Sequence, residues 1–140
     1  MSLVFPDVNV WLALASEEHT QRHAALDWWR PHDGPIAFCR ITQMGLLRLL
    51  TTAAVMNNRP LSMKEAWKAY AGFLHDERVE FLAEPPAFEK ALRANSSSAH
   101  ASPKLWADAY LIAFAKECGG SLVTFDRTLA RRSSGSVLLK

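Results

Sequence analysis

Three aspartates stand in apolar surroundings, where a carboxylate is costly unless it has a partner. Asp7 and Asp126 come directly after apolar runs, 3–5 and 121–125, that have the composition of buried β-strands. Asp108 lies inside an apolar helical stretch, on the face expected to meet the core. Such a carboxylate must be paired, hydrogen-bonded or bound to a metal ion. These three residues are therefore the first candidates for chemistry.

The elements that position these aspartates alternate between strand and helix along the chain. The sequence predicts strands at 3–5, 36–39, 79–82, 121–125 and 137–139, and helices at 8–15, 24–29, 42–50, 62–76, 86–92 and 103–118. This alternation implies parallel crossovers and an α/β fold, with three α/β/α layers around a mostly parallel central sheet. No linker or repeat divides the chain, so residues 1–140 are expected to form a single domain.

Two helix starts are predicted from capping patterns. Thr42 is predicted to be the N-cap of the third helix. Ser62 is predicted to cap the fourth, with Glu65 at the spacing of a capping box.

The predicted topology brings the three aspartates to one edge of the sheet. Ligands collect at the carboxyl ends of parallel strands, which is where Asp7 and Asp126 lie. The helix that carries Asp108 leads into the strand before Asp126, so Asp108 is able to face the same edge. Carboxylates gathered there repel one another unless a cation neutralises them, and oxygen ligands suit Mg²⁺ or Mn²⁺. Such an ion activates water and stabilises charge on a phosphate.

A structural explanation of each aspartate remains open. Each one could be a helix cap or an ion-pair partner, and Asp7 is the best cap candidate because a helix follows it. Asp108 is the worst, since it lies within a helix. Three caps at the same edge of the sheet would be a weaker explanation than a shared site.

The motifs around these acids resemble a known family. The segment 4–9, an apolar strand ending in Asp-x-Asn, resembles the first motif of PIN domains. Segments 105–111 and 122–127 resemble the family's later acidic helix and the strand that ends in its last acid. Together with 41–50 and the length of the chain, they look like the VapC branch, the toxins of bacterial toxin–antitoxin pairs.

The resemblance implies an endonuclease that cuts RNA with Mg²⁺ or Mn²⁺. Asp7, Asp108 and Asp126 match metal-binding acids of the family, and Asn9 and Thr124 match polar positions that support the site. The resemblance also implies a homodimer and a small VapB-like antitoxin that inserts into the acidic groove.

Gln43 is where this sequence departs from the family pattern. The family usually has Glu at the position of Gln43. An amide oxygen is able to touch a metal ion or hold a water molecule, but it brings no negative charge. The expectation is that Gln43 contributes to catalysis in this way, with a weaker metal affinity or fewer metal ions.

Basic and aromatic side chains are candidates for RNA contacts. Arginines occur near the predicted edge, and Arg127 and Arg48 are chosen as RNA-binding candidates because Arg holds phosphates bidentately. The five tryptophans are expected mainly in the core, since all fall in apolar helical stripes.

Composition limits the other classes of protein. Hydrophobic residues make up 49% of the 140 and charged residues 21%, which indicates a globular chain, while a net charge of +2 is too small to indicate nucleic-acid binding by itself. The two cysteines form no CxxC motif. No basic start of a signal peptide and no membrane-spanning run is found, so a cytoplasmic protein is expected.

Three functions remain under comparison. The main hypothesis is metal-dependent hydrolysis of RNA phosphodiesters by the toxin of a toxin–antitoxin pair. The first alternative is a binding module for RNA or protein, in which Gln43 leaves the metal site too weak for catalysis. The second is an aspartyl phosphotransfer enzyme of dehalogenase type with Asp7 as nucleophile. That class needs a second Asp two residues on, where this chain has Asn9.

Overall fold

A computed structural model describes residues 2–140, and Met1, the first residue of the predicted domain, lies outside this range. The strands are β1 Val4–Pro6, β2 Ile36–Phe38, β3 Val79–Phe81, β4 Ser121–Thr124 and β5 Val137–Leu138. The helices are α1 Val8–Ala15, α2 Arg22–Trp29, α3 Arg40–Leu50, α4 Met63–Leu74, α5 Phe88–Asn95, α6 Leu105–Glu117 and α7 Arg127–Arg132.

The five strands form one parallel sheet in the order β3-β2-β1-β4-β5. The chain therefore builds outward from β1 to β3 on one side and then adds β4 and β5 on the other. This reversal makes a topological switch point between β1 and β4. In open parallel sheets, the carboxyl ends of the strands at such a point form the ligand-binding crevice.

Both faces of the sheet are covered by helices. Along β1, Val4 packs into the core that is shared with α1 to α4, and Phe5 packs into the core that is shared with α5, α6 and α7. On β4, Val123 packs into the same core as Val4, and Leu122 packs into the same core as Phe5. Because neighbouring strand residues point to opposite faces, this alternation builds three layers. The predicted three-layer α/β/α fold is confirmed.

The fourth helix begins as predicted, but the third does not. Ser62 and Glu65 form the reciprocal capping box, with distances of 2.9 and 3.0 Å. The prediction that Thr42 is an N-cap is wrong, because α3 begins at Arg40 and its N-cap is Cys39. Thr42 instead lies in the first turn, and its hydroxyl accepts a hydrogen bond from the Cys39 backbone N–H at 3.0 Å.

Two further helices start later than predicted, and one was not predicted at all. Helix α5 begins at Phe88 rather than at the prolines, because Ala87 has a positive φ of 63° that breaks the helical backbone. Helix α6 begins at Leu105 instead of 103. The short helix α7 has too few residues to show an apolar period.

No helix within residues 2–140 combines the length and the apolar character needed to cross a bilayer.

Candidate active site at the carboxyl edge of the sheet

Asp7 is buried at the switch point, directly after β1. Its side chain is 7% exposed. Oδ1 accepts a hydrogen bond from the Val10 backbone N–H at 3.2 Å, which caps α1, and Oδ2 accepts one from the Thr124 hydroxyl. Burial raises the pKa of Asp7, although these hydrogen bonds oppose the shift. Burial therefore disfavours the ionised form of Asp7, and a nearby cation would stabilise it.

Thr124 connects Asp7 to Asp126. Besides donating to Asp7, the fully buried Thr124 hydroxyl accepts a hydrogen bond from the Asp126 backbone N–H at 2.9 Å. The Asp126 side chain is exposed and caps α7, and its Oδ1 accepts hydrogen bonds from the N–H groups of Thr128 and Leu129 at 2.8 and 3.1 Å. One hydroxyl thus holds the ends of β1 and β4 in a fixed relation.

Asp108 lies in the first turn of α6 and is partly buried. Burial raises the pKa of Asp108, and repulsion from Asp126 raises it further. Arg132 of α7 opposes the shift with its Nη1 atom 3.7 Å from Asp108 Oδ2. The Asp108 carboxyl therefore meets one acid and one cation at the same edge of the sheet.

Asp126 influences both of the other acids through its charge. The charge of Asp126 raises the pKa of both Asp7 and Asp108, so its carboxylate lies within electrostatic reach of each. Among residues 2–140, however, no three His, Cys, Asp or Glu side chains are already gathered closely enough to hold a metal ion. Each aspartate also has a local role, two as helix caps and one in an ion pair. The metal site therefore stays a prediction.

Gln43 lies buried in the first turn of α3, and Arg40 holds its side chain. The Gln43 Oε1 atom accepts a hydrogen bond from Arg40 Nη1 at 2.6 Å. The guanidinium of Arg40 lies 4.6 Å from the centre of the Phe81 ring, an arrangement typical of a cation–π contact. Helix α3 also approaches α1 closely, since a Cβ atom on Gly45 would lie 2.6 Å from a methyl carbon of Val8. This close approach places the middle of α3 beside the first residue of the helix that Asp7 caps.

The remaining candidates take different positions. The backbone N–H of Asn9 donates a hydrogen bond to Asp7, and Asn9 itself is exposed to solvent. Arg127 is exposed and follows Asp126 at the start of α7. Arg48 lies in the last turn of α3, away from the end that carries Gln43. The ion pair between Arg132 and Asp108 was not predicted from the sequence.

The fold agrees with a comparison against family models. The model described as "PIN domain" matches residues 4–134. The chain therefore belongs to the PIN-domain family.

Named relatives place the chain among the VapC-type ribonucleases of that family. It is 45% identical over 126 residues to ribonuclease VapC41 of Mycobacterium tuberculosis, covering 86% of each chain. It is 33% identical over 125 residues to ribonuclease VapC44 of the same organism, covering 89% of this chain and 86% of the relative. The resemblance stated from the sequence motifs is confirmed.

Solved structures support the fold. The crystal structure of M. tuberculosis VapC20, titled a sarcin-ricin loop cleaving toxin, superposes with a TM-score of 0.68 at 17% identity and covers 98% of this chain and 99% of its own. PAE2754 from Pyrobaculum aerophilum superposes with a TM-score of 0.64 at 22% identity, covering 97% and 90%.

Proposed function

We propose that this chain, as a single PIN-like domain, is the toxin of a type II toxin–antitoxin pair and an endoribonuclease that requires Mg²⁺ or Mn²⁺. The observation that carries the proposal is the link through Thr124, which joins Asp7 and Asp126 at the switch point, with Asp108 coupled to Asp126 by charge. The named relatives are ribonucleases, and this favours an enzyme over a module that only binds.

The donors at this edge fit a hard divalent cation. Asp7, Asp108 and Asp126 offer carboxylate oxygens, the ligands that Mg²⁺ and Mn²⁺ prefer. When bound, the ion would lower the pKa of a water molecule and neutralise charge on the scissile phosphate. Thr124 keeps the Asp7 carboxylate oriented through its hydrogen bond. Arg132, which neutralises part of the Asp108 charge, would be released toward the RNA backbone.

Cleavage is expected to depend on the metal ion. Purified chain, free of antitoxin, is incubated with a pool of structured RNAs in Mg²⁺, in Mn²⁺ and in EDTA. We expect fragments in both metal lanes and none in EDTA, because the acids alone supply no positive charge to the phosphate. Cutting that persists in EDTA would contradict metal dependence. Intact RNA in every lane, with RNA binding retained, would favour the binding-module alternative.

Gln43→Glu is expected to lower the Mg²⁺ concentration at half-maximal cleavage roughly ten-fold. The added carboxylate would bring a charge to the proposed metal site, and two unit charges about 4 Å apart interact by about 1 kcal/mol even in water. Arg40, which already contacts this side chain, offsets part of the gain. The measurement is initial rate against Mg²⁺ concentration, and Gln43→Met is the uncharged control. An identical Mg²⁺ curve for Gln43→Glu and wild type would place Gln43 outside the metal site.

An apolar groove beside the acids is proposed as the surface for the antitoxin. A groove of about 550 Å³ lies between α3, α4 and the start of α6, and Val8 and Ala107, the neighbours of two acids, line it. Three large apolar residues of the groove are exposed to solvent: Met44 at 54%, Met63 at 72% and Trp67 at 49%. Contiguous apolar surface of this kind marks a protein interaction site. Copurification with the antitoxin would test this surface, and light scattering would test the proposed homodimer.

A further inference from the structure

A second cavity lies at the start of α6. It has a volume of about 420 Å³, and its wall includes Leu105, Trp106, His100, Ser98 and Arg132. Leu105 stands three residues before Asp108 and therefore shares a helix face with it. Arg132 connects the two, because it lines the cavity and its guanidinium is the ion-pair partner of Asp108. The cavity therefore lies next to Asp108.

Trp106 is unusually exposed for a tryptophan. Its exposed fraction is 62%, whereas Trp11 is completely buried. The apolar stripes predict that the tryptophans lie mainly in the core, and for Trp106 and Trp67 this prediction is wrong. The two differ in their surroundings, since Trp67 lines the apolar groove and Trp106 lines the cavity with polar side chains. A large aromatic face beside polar groups suits a flat ligand that has its own hydrogen-bonding edges.

The chemistry of the cavity matches one nucleotide of a single strand. An aromatic face stacks an unpaired base, and serine, asparagine and histidine side chains contact base edges or sugar. Ser98 and Asn95 supply such groups in the wall, together with His100. Arg132 supplies a cation for the phosphate at the entrance next to Asp108. A base in this cavity would therefore present its phosphate to the acids.

We propose that this cavity is a nucleobase subsite, in which Trp106 stacks one unpaired base of the RNA and Arg132 holds the adjoining phosphate beside Asp108. The inference rests on the proposed function and deepens it, because it names single-stranded RNA as the form that the site accepts. Double-stranded RNA is excluded, since a paired and stacked base cannot enter a cavity on the protein.

The experiment measures binding without cleavage. Fluorescein-labelled RNA hexamers of each of the four bases, and a duplex of the same length, are titrated with the full chain in EDTA and followed by anisotropy. We expect Trp106→Leu to lower the affinity for the most tightly bound hexamer about ten-fold, the size of effect typical when an aromatic ring that stacks on a base is lost. Trp106→Phe, which keeps an aromatic face, is expected to stay within about three-fold of wild type. Duplex is expected to bind more weakly than single strand.

The control is Leu74→Ala, which removes an exposed apolar side chain at the end of α4, outside both the cavity and the apolar groove, and is expected to leave hexamer affinity unchanged. Thermal melting confirms that each variant is folded. Equal affinities for Trp106→Leu, Trp106→Phe and wild type would overturn the subsite, and so would a wild type that binds none of the hexamers. Cleavage of the RNA pool in Mg²⁺ is measured separately on wild type, so loss of the subsite and loss of the proposed nuclease are distinct results.

Discussion

Asp7→Asn is expected to lower RNA cleavage at least about 100-fold and, without metal, to make the protein more stable. The loss of activity follows from removing a carboxylate of the proposed metal site, since even the groups that orient metal ligands typically contribute 10- to 100-fold. The fold should be retained because Asn caps helices as well as Asp does. Its side-chain oxygen is able to accept the hydrogen bond from the Val10 backbone N–H.

The gain in stability has a defined pH dependence. Burial raises the pKa of Asp7 in the folded protein above its unfolded value, so the folded state binds the proton more tightly. The stability that this group contributes is complete below the unfolded pKa and is lost as the pH rises through the folded pKa. At neutral pH, Asp7→Asn removes a buried charge and should therefore raise the free energy of unfolding. The difference should vanish in acid.

Urea unfolding in EDTA at pH 3, which is below the unfolded pKa, and at pH 7.5 measures this difference, and a repeat in Mg²⁺ at pH 7.5 extends the test. Wild type should gain stability from a bound ion, whereas Asp7→Asn should gain little. Asp33→Asn, which changes an exposed aspartate outside the acid cluster, is the matched control and should alter neither property. A fully active Asp7→Asn enzyme would leave Asp7 with only its role as the cap of α1.

The fold was predictable because its signals are local and repeated. Apolar runs ending at Asp7 and Asp126 indicate buried strands, and the helical stripes between them indicate crossovers. Helix boundaries were less predictable. Cys39 caps α3 although it is not a typical capping residue, and the left-handed backbone at Ala87 has no sequence signal such as glycine. Helix α7 could have been inferred only from Asp126 as a cap.

Positions in the candidate site were more predictable than its side-chain contacts. The rule that ligands collect at strand ends brought Asp7 and Asp126 together before any coordinates were known. The contact from Thr124 to Asp7 spans 117 positions in the sequence, and only the family motif pointed to it. The ion pair between Arg132 and Asp108 depends on α7, which was not predicted. Pairings between distant side chains become visible only once the packing of helices is known.

Apolar periodicity also could not separate a buried tryptophan from an exposed one. Trp11 and Trp106 both occur in apolar helical stretches, yet one is fully buried and the other is 62% exposed. Helix α6 turns its apolar face to the sheet after its first turn, where Ala109 and Leu111 become buried. Trp106 precedes that point. A stripe predicts which face is apolar, but the depth of each residue depends on where the helix meets the sheet.

Trp11→Ala is expected to lower the free energy of unfolding by about 3–5 kcal/mol, a large part of the stability of an ordinary domain. The ring of Trp11 stacks on Phe38, with centroids 3.7 Å apart and planes 13° apart, and meets Phe73 and Trp29 edge-on at 5.0 and 6.0 Å. Its removal leaves a cavity that rigid neighbours fill poorly. Denaturant midpoints measure the loss. Trp67→Ala, at an exposed site, should cost less than about 1 kcal/mol.

Trp11→Phe separates the packing of the ring from its polar atom. The indole Nε1 of Trp11 is buried and has no hydrogen-bond partner within the described residues 2–140, which costs roughly 1–3 kcal/mol. Phenylalanine loses ring volume but also removes that unsatisfied donor, so the net cost should stay below about 1.5 kcal/mol. A cost equal to that of Trp11→Ala would mean that Nε1 has a partner in solution. Because the Trp11 backbone N–H also bonds the Asp7 carbonyl at 3.2 Å, weakening this packing should loosen the start of α1 and with it the acid that α1 positions.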